Sequence, residues 1–113
     1  MMESKLYQDY LKEYRGQEYL ERDFGFITYR HVAATNSLFI QDIYVEPEWR
    51  SSGNAKLLID DVEAKGRELG CVVLVGSVYV KNPHATNSLK CLLMNGGRIV
   101  SADTEKINLC KEL

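Results

Sequence analysis

The chain has 113 residues and a formal net charge of −2, with 45% apolar and 27% charged residues. This length suits one compact core, so we expect a single domain over residues 1–113. The balanced charge gives no basic surplus that would favour nucleic acid or an anionic membrane as a partner.

The cysteines Cys71, Cys91 and Cys110 are odd in number and far apart in the sequence. They predict free thiols in a reducing compartment and no metal site. The longest apolar run, 71–75, is too short to cross a membrane. The first residues also lack the basic start and apolar stretch of a signal peptide. The expected location is therefore the cytoplasm.

The N-terminal half is predicted to hold one helix followed by strands. Apolar residues at helical spacing predict a helix over 4–14, with Gly16 as its stop. Alternation then predicts three strands, over 17–22, 24–33 and 38–45. The turn residues at 34–36 favour an antiparallel hairpin between the last two.

The hydrophobic period changes after the loop 46–52. An apolar stripe over 53–69, with charges on the other side, predicts an amphipathic helix that ends at Gly70. The run 71–80 is nearly continuous in apolar and β-branched residues, which is typical of a strand buried on both faces. A right-handed crossover would place this strand parallel to the strand 38–45.

The C-terminal third is predicted to add a helix and two closing strands. Asn82-Pro83 looks like an N-cap followed by a first-turn proline, and the helix would end at 95–97. The closing strands are expected over 98–101 and 107–113. The predicted fold class is therefore α/β, with a mixed, mostly antiparallel sheet around a central parallel βαβ unit.

The segment 42–55 leaves a strand and enters a helix. A helix start presents main-chain N–H groups with no internal partner and with partial positive charge, which can bind a pyrophosphate. Ser51, Ser52 and Gly53 are small enough for close approach, and Arg50 can add a charged contact. A simple helix cap fits the same residues equally well. The absence of a Walker pattern and of GxGxxG disfavours nucleotide hydrolysis and dinucleotide redox chemistry.

The same segment resembles the core of the GNAT N-acyltransferase superfamily. Ile43-Tyr44-Val45 resembles the end of the family's central strand, and the stretch 50–55, Arg-Ser-Ser-Gly-Asn-Ala, resembles its Arg/Gln-x-x-Gly-x-Gly/Ala motif. Gly25-Phe26-Ile27 resembles the preceding strand, and 92–97 resembles the last helix and its glycine turn. The resemblance extends over about 19–100.

The resemblance implies a GNAT-like acyl-CoA N-acyltransferase fold, with acetyl-CoA as co-substrate and a primary amine as acceptor. The strands 38–45 and 71–80 would splay apart and hold the pantetheine arm, and the amides of 51–55 would hold the pyrophosphate. Thr86 or Asn87 would contact pantetheine. The implied cofactor-binding set is Ile43, Tyr44, Val45, Arg50, Ser51, Ser52, Gly53, Asn54, Ala55 and Asn87.

The acid and base positions match the family only in part. The strand position of the family's glutamate reads Gln41, which cannot act as a base. Asp42 could, although alternation places its side chain on the opposite face. The family's helical tyrosine aligns with Leu93, which has no proton to donate. Asp42 and His84 are the catalytic candidates; their structural alternatives are an acceptor for nearby N–H groups and a solvent-facing helix residue.

Two functions follow. The first is an N-acetyltransferase with acetyl-CoA and an amine acceptor as partners. The second, favoured by Gln41 and Leu93, is a non-catalytic GNAT-fold protein that binds acyl-CoA or a protein partner. A structural component that has lost the ligand is a third. The exposed strand expected near 107–113 is compatible with a homodimer.

Overall fold

The computed structural model describes residues 4–10, 12–13 and 16–113. Their helices and strands follow in the order α1 (Ser4–Tyr10), β1 (Glu18–Arg22), β2 (Gly25–Val32), β3 (Ser37–Val45), α2 (Asn54–Glu68), β4 (Val73–Tyr79), α3 (Ala85–Met94), β5 (Arg98–Ala102) and β6 (Lys106–Glu112). No helix in these ranges is long and apolar enough to cross a membrane.

The strands form one six-stranded sheet in the order β1-β2-β3-β4-β6-β5. Within the described chain, β3 and β4 are the parallel pair, and every other neighbouring pair is antiparallel. The helix α2 connects the two parallel strands. The predicted mixed sheet with a central parallel βαβ unit is therefore confirmed.

The core lies between α2 and one face of the sheet. The apolar stripe of α2 places Leu58, Ile59 and Val62 against Ile27 and Leu38, and none of these side chains is more than 1% exposed. The helix α3 covers the same face, because its Leu92 packs against this core. The helix α1 lies on the opposite face, where the ring of Tyr7 is 6.0 Å from that of Tyr19.

The strand predicted over 71–80 is shorter than expected and is buried on one side only. Leu74, Gly76 and Val78 are buried, whereas the residues between them are partly exposed and Tyr79 is exposed. Both α2 and α3 lie on one face of this strand. The prediction of a strand buried on both faces is wrong because no described helix covers the other face.

The start of the last helix also differs from the prediction. The side-chain Oδ1 of Asn82 accepts a hydrogen bond of 2.8 Å from the N–H of His84, and α3 begins at Ala85 with His84 as its N-cap. Asn82 therefore closes a turn before the helix and does not cap it.

The remaining predicted elements agree closely with the structure in their bounds, but the strand expected to be exposed near 107–113 is β6, which pairs on both sides, with β4 and β5. The helix over 53–69 and the other strands begin and end within one residue of their predicted bounds. The helix predicted over 4–14 is described as α1 to Tyr10, and its predicted positions at residues 11 and 14 lie outside the described residues. The sequence pattern thus predicts the position of nearly all helices and strands. It fails to predict burial where burial depends on which face of a strand the helices pack against.

Candidate active site

The strands β3 and β4 pair over their first halves only. Their parallel register runs from Ser37↔Val73 to Ile40↔Gly76 and stops there. Beyond this point β3 continues in a ladder with β2, and β4 continues in a ladder with β6. A gap therefore opens between the two strands, narrow at Ile40 and wide where the strands end.

The gap forms a cavity of about 430 Å³, a volume within the usual range for small-molecule sites. Its wall consists of Ile40 to Val45 on β3, Gly76 to Tyr79 on β4, and side chains from the loops, α2 and α3, namely Arg50, Ala55, Asn82, His84, Ala85, Asn87, Ser88, Cys91 and Leu92. Across the described ranges, no three His, Cys, Asp or Glu side chains lie together as a metal site would need.

The edge of β3 directs main-chain groups into this gap. The N–H of Glu46 donates to the carbonyl of Phe24 at 2.8 Å, and the register with β2 is regular over the last four residues of β3. Main-chain groups alternate between the two edges of a strand in such a ladder. Those of Tyr44 therefore face β2, whereas those of Ile43 and Val45 face the gap. Tyr44 contributes its side chain to the wall.

The loop that enters α2 keeps its main-chain N–H groups unpaired. No described protein group accepts a hydrogen bond from the N–H of Ser51, Ser52 or Gly53, and Gly53 is an N-cap without a side-chain capping bond. The N–H groups of Asn54 and Ala55 lie in the first turn of α2, where no helical acceptor is available. These donors meet the positive end of a 15-residue helix, which makes the loop suited to an anion.

Arg50 adds a positive charge at the wide end of the gap. Its Nε donates a 2.8 Å hydrogen bond to the carbonyl of Val45, and its Cζ lies 5.6 Å from the centre of the Tyr44 ring. The ion pairs of the described residues do not include Arg50. Its guanidinium is therefore held in place by neutral groups and stays available to an anion.

Two side chains fix the shape of this loop. The Nδ2 of Asn54 donates to the carbonyl of Trp49 at 2.7 Å, and the Trp49 ring stacks on Phe24 at 5.8 Å. The polar residue at position 54 thus has a structural role, since it ties the start of α2 back to the loop.

The structure brings most of the predicted site residues together. Asp42, Ile43, Tyr44, Val45, Arg50, Ala55, His84 and Asn87 all line the cavity. Ser51, Ser52, Gly53 and Asn54 are not part of its wall, but they connect Arg50 to Ala55, which are. The predicted loop and the predicted strand edge therefore belong to one continuous site.

Gln41 is the extra residue of a β-bulge near the narrow end. The register with β2 passes from Thr28↔Asp42 directly to Tyr29↔Ile40, so Gln41 has no partner in the ladder. Its Oε1 is buried and has no hydrogen-bond partner among the described residues. A buried acceptor left unpaired costs about 1–3 kcal/mol. No local sequence pattern predicts this bulge, because it depends on how β3 pairs with β2.

Asp42 is the carboxylate of the wall. Its side chain is exposed, and its N–H donates to the Oγ1 of Thr28 at 3.0 Å. Alternation predicts opposite faces for Asp42 and Gln41, yet both line the cavity. The gap is bounded by the edge of β3, so side chains from both faces can reach it.

The helix α3 presents residues that the sequence analysis missed. Leu93, which the resemblance matches to the family's tyrosine, is 43% exposed and lies outside the wall, whereas Ser88 and Cys91 are part of it. Their spacing of three places them on one helical face with Ala85, and this spacing was the sequence signal that could have identified them.

The cysteines are free, as predicted. Burial raises the pKa of the Cys91 thiol, and a contact with Asn95 opposes that rise.

Comparison with protein-family models identifies the family. Residues 19–91 match the model of the acetyltransferase (GNAT) family. The match covers more than half of the chain, and the chain therefore belongs to the GNAT family. No curated protein sequence matches it.

Solved structures show the same fold. The PaiA N-acetyltransferase of Thermoplasma acidophilum in complex with coenzyme A has a TM-score of 0.77 at 18% identity, over 96% of this chain and 69% of that one. A GNAT family acetyltransferase of Elizabethkingia anophelis with acetyl-CoA bound has a TM-score of 0.71 at 18% identity, over 98% and 84%. The IAA acetyltransferase of Bacillus cereus reaches 0.68 at 16% identity, over 80% and 70%. At these identities the likeness establishes the fold.

Proposed function

We propose that this protein is an N-acetyltransferase that moves an acetyl group from acetyl-CoA to a primary amine. The observation that carries the proposal is the gap between β3 and β4, which leads at its wide end to the unpaired N–H groups of the loop 51–55. The family match and the CoA-bound and acetyl-CoA-bound structures of the same fold support it.

The dimensions of the gap suit an extended arm. The pyrophosphate would bind the N–H groups of the loop and the guanidinium of Arg50. The pantetheine would lie along β3 and pair with the main-chain groups of Ile43 and Val45, as an added strand does. Four residues of a strand span about 13 Å, so the arm would carry the thioester from Val45 towards Gln41, into the narrow half of the gap.

The chemistry requires a neutral amine and a polarised thioester carbonyl. The amine nitrogen bonds to the carbonyl carbon, the carbon–sulfur bond breaks, and the electron pair leaves with the thiolate of CoA. A main-chain N–H of β3 that faces the gap can stabilise the developing oxyanion. The amine then loses a proton, and the thiolate takes one up from solvent.

Asp42 and His84 are the proposed acid–base residues. Asp42 lies two residues from the last parallel pair, at Ile40↔Gly76, so we propose that it takes the proton of the amine. His84 lies beyond the end of β4, at the wide end of the cavity. We propose for it a smaller role, in proton exchange with solvent at the mouth of the gap.

A second candidate function is a protein that binds acyl-CoA without turnover. The observations that favour it are Gln41 in place of a carboxylate and the position of Leu93 outside the cavity wall. Both functions require the same cofactor site, so release of free CoA thiol separates them.

The first experiment is a thermal-shift titration with acetyl-CoA, with S-acetylpantetheine as the control ligand that lacks the pyrophosphate. Ligand at about one hundred times its Kd should stabilise the protein by about 2.7 kcal/mol and raise Tm by roughly 10 °C. The control should raise it far less. A thiol-release assay with a panel of primary amines then tests turnover. No shift with acetyl-CoA would overturn both functions, and a shift without thiol release would favour the binding protein.

A further inference from the structure

A patch of acidic and aromatic side chains lies beside the gap, on the face of the sheet opposite α2 and α3. The register of β1, β2 and β3 forms two adjacent cross-strand rows, which together hold Glu21, Phe26, Tyr44, Tyr19, Thr28 and Asp42. The residues next to them in sequence, such as Leu20, Ile27 and Ile43, pack into the core beneath α2. Side chains alternate along a strand, so these six residues share the other face. We call them the acidic–aromatic patch.

The rings of the acidic–aromatic patch form a continuous row that ends at the gap. The Tyr19 ring meets Phe26 edge-on at 6.4 Å, and Phe26 stacks on Tyr44 at 5.7 Å. Tyr7 of α1 lies over Tyr19 at the far end. Tyr44 lines the cavity and is 42% exposed. The row therefore runs from the buried Tyr19, through the partly exposed Phe26, to the exposed Tyr44 at the open side of the gap.

The two carboxylates of the patch sit at opposite corners. Asp42 borders the gap, and Glu21 lies two strands away, next to Phe26. Two strand spacings and a shift of two residues place their Cα atoms about 12 Å apart. The ion pairs of the described residues include neither carboxylate. The Cζ of Arg50 lies 5.6 Å from the centre of the Tyr44 ring of the patch.

The acetyl-transfer step itself has no role for a carboxylate at the position of Glu21. The attacking nitrogen must be neutral, and a carboxylate this far from the gap cannot take its proton. A carboxylate beside an aromatic face does attract a group that stays cationic. The helices α2 and α3 cover the other face of the sheet, so an acceptor approaches the gap from the side of the sheet that carries this patch.

We propose that the acceptor is a small aliphatic amine that carries a second group protonated at neutral pH, as an unbranched diamine does. This inference rests on the proposed acetyl transfer. One nitrogen reacts in the gap beside Asp42, the methylene chain lies over Tyr44 and Phe26, and the distant ammonium binds between Glu21 and the Phe26 ring.

The test compares three amines of equal chain length, hexamethylenediamine, aminohexanol and aminocaproate, whose distant ends are cationic, neutral and anionic. We measure kcat/KM with saturating acetyl-CoA at low ionic strength. We expect the diamine to exceed aminohexanol by roughly tenfold and aminocaproate to be the poorest acceptor. Added salt should reduce the differences in kcat/KM between the three amines.

Glu21→Lys should reverse this order and make aminocaproate a better acceptor than the diamine. Glu105→Lys is the matched control, since Glu105 is exposed in the turn between β5 and β6. It makes the same change of net charge far from the patch and should keep the original order.

A second readout needs no turnover. It is the rise in Tm that each amine causes in the CoA-saturated protein. Equal kcat/KM and equal Tm rises for the diamine and aminohexanol would overturn the inference. A diamine-specific Tm rise that depends on Glu21, without thiol release, would uphold the docking site and overturn acetyl transfer.

Discussion

The two ends of the gap between β3 and β4 are built from different chemical groups. The wide end offers main-chain donors, from the loop 51–55 and the edge of β3, and one guanidinium anchored by a carbonyl and a ring. The narrow end offers side chains, and there the resemblance matches Gln41 to the family's glutamate. Main-chain N–H donors remain when most side chains are substituted, whereas acid–base chemistry depends on the side chains of single residues. Cofactor binding is therefore the more robust part of this site, and turnover is the part that one residue can change.

The largest expected effect is a loss of acetyl-CoA affinity, caused by a substitution at the wide end of the gap. Gly53→Glu places a carboxylate among the loop donors, where it competes with the pyrophosphate and repels it, so we expect the Kd for acetyl-CoA to rise by at least about a hundredfold. Calorimetric titration with acetyl-CoA measures the change.

Gly70→Glu is a matched control for this variant. Gly53 and Gly70 both have a left-handed backbone, with φ of 80° and 78°, and an added Cβ meets no atom within 4 Å at either position. Both variants therefore carry a similar backbone strain of about 1–2 kcal/mol, but Gly70 lies at the other end of α2. Equal loss of affinity in the two variants would contradict the loop assignment.

The next effect concerns the narrow end. Asp42→Asn should lower kcat with a good amine acceptor by about a hundredfold at neutral pH, because the proposed proton acceptor is lost. The Tm rise caused by acetyl-CoA should stay unchanged, since the wide end is intact. His84→Gln should lower kcat by less. A larger loss in His84→Gln than in Asp42→Asn would reverse the proposed roles, and steady-state kinetics decide between them.

A smaller effect is expected on the stability of the protein, from substitutions of Gln41 at the narrow end. Gln41→Met removes the buried Oε1 that has no partner while keeping the length of the side chain, so the free energy of unfolding should rise by about 1 kcal/mol. Gln41→Glu buries a charge at the same position and should lower it. Urea denaturation measures both. A destabilised Gln41→Met protein would show that the amide has a bonding role in the folded state.

The smallest expected effect concerns the reactivity of the Cys91 thiol. Burial raises the pKa of the Cys91 thiol, so less thiolate is present at a given pH than for an ordinary cysteine. Alkylation of Cys91 by iodoacetamide should therefore be slow at neutral pH and accelerate as pH rises beyond the usual thiol range. Acetyl-CoA should slow it further, because Cys91 lines the cavity. Peptide mass spectrometry follows the reaction; a neutral-pH rate equal to that of free cysteine would contradict this placement.

The sequence predicts the wide end better than the narrow end, for physical reasons. The helix over 54–68 and the loop before it follow from local signals, namely a hydrophobic period and a glycine at the helix start. The bulge at Gln41 depends on pairing between β3 and β2, which no local pattern encodes. The one-sided burial of β4 depends on where α2 and α3 pack. The turn at Asn82 is ambiguous, because the same Asn-Pro pair suits a cap and a turn.

The most direct test of the account is a titration of the protein with CoA followed by amide resonances in NMR. The account predicts large shifts for the N–H groups of Ser51, Ser52 and Gly53 and for those of Ile43 and Val45, with little change in the turn between β5 and β6. If CoA binds and leaves the resonances of the loop 51–55 unmoved, the central claim that these unpaired main-chain donors hold the cofactor is wrong.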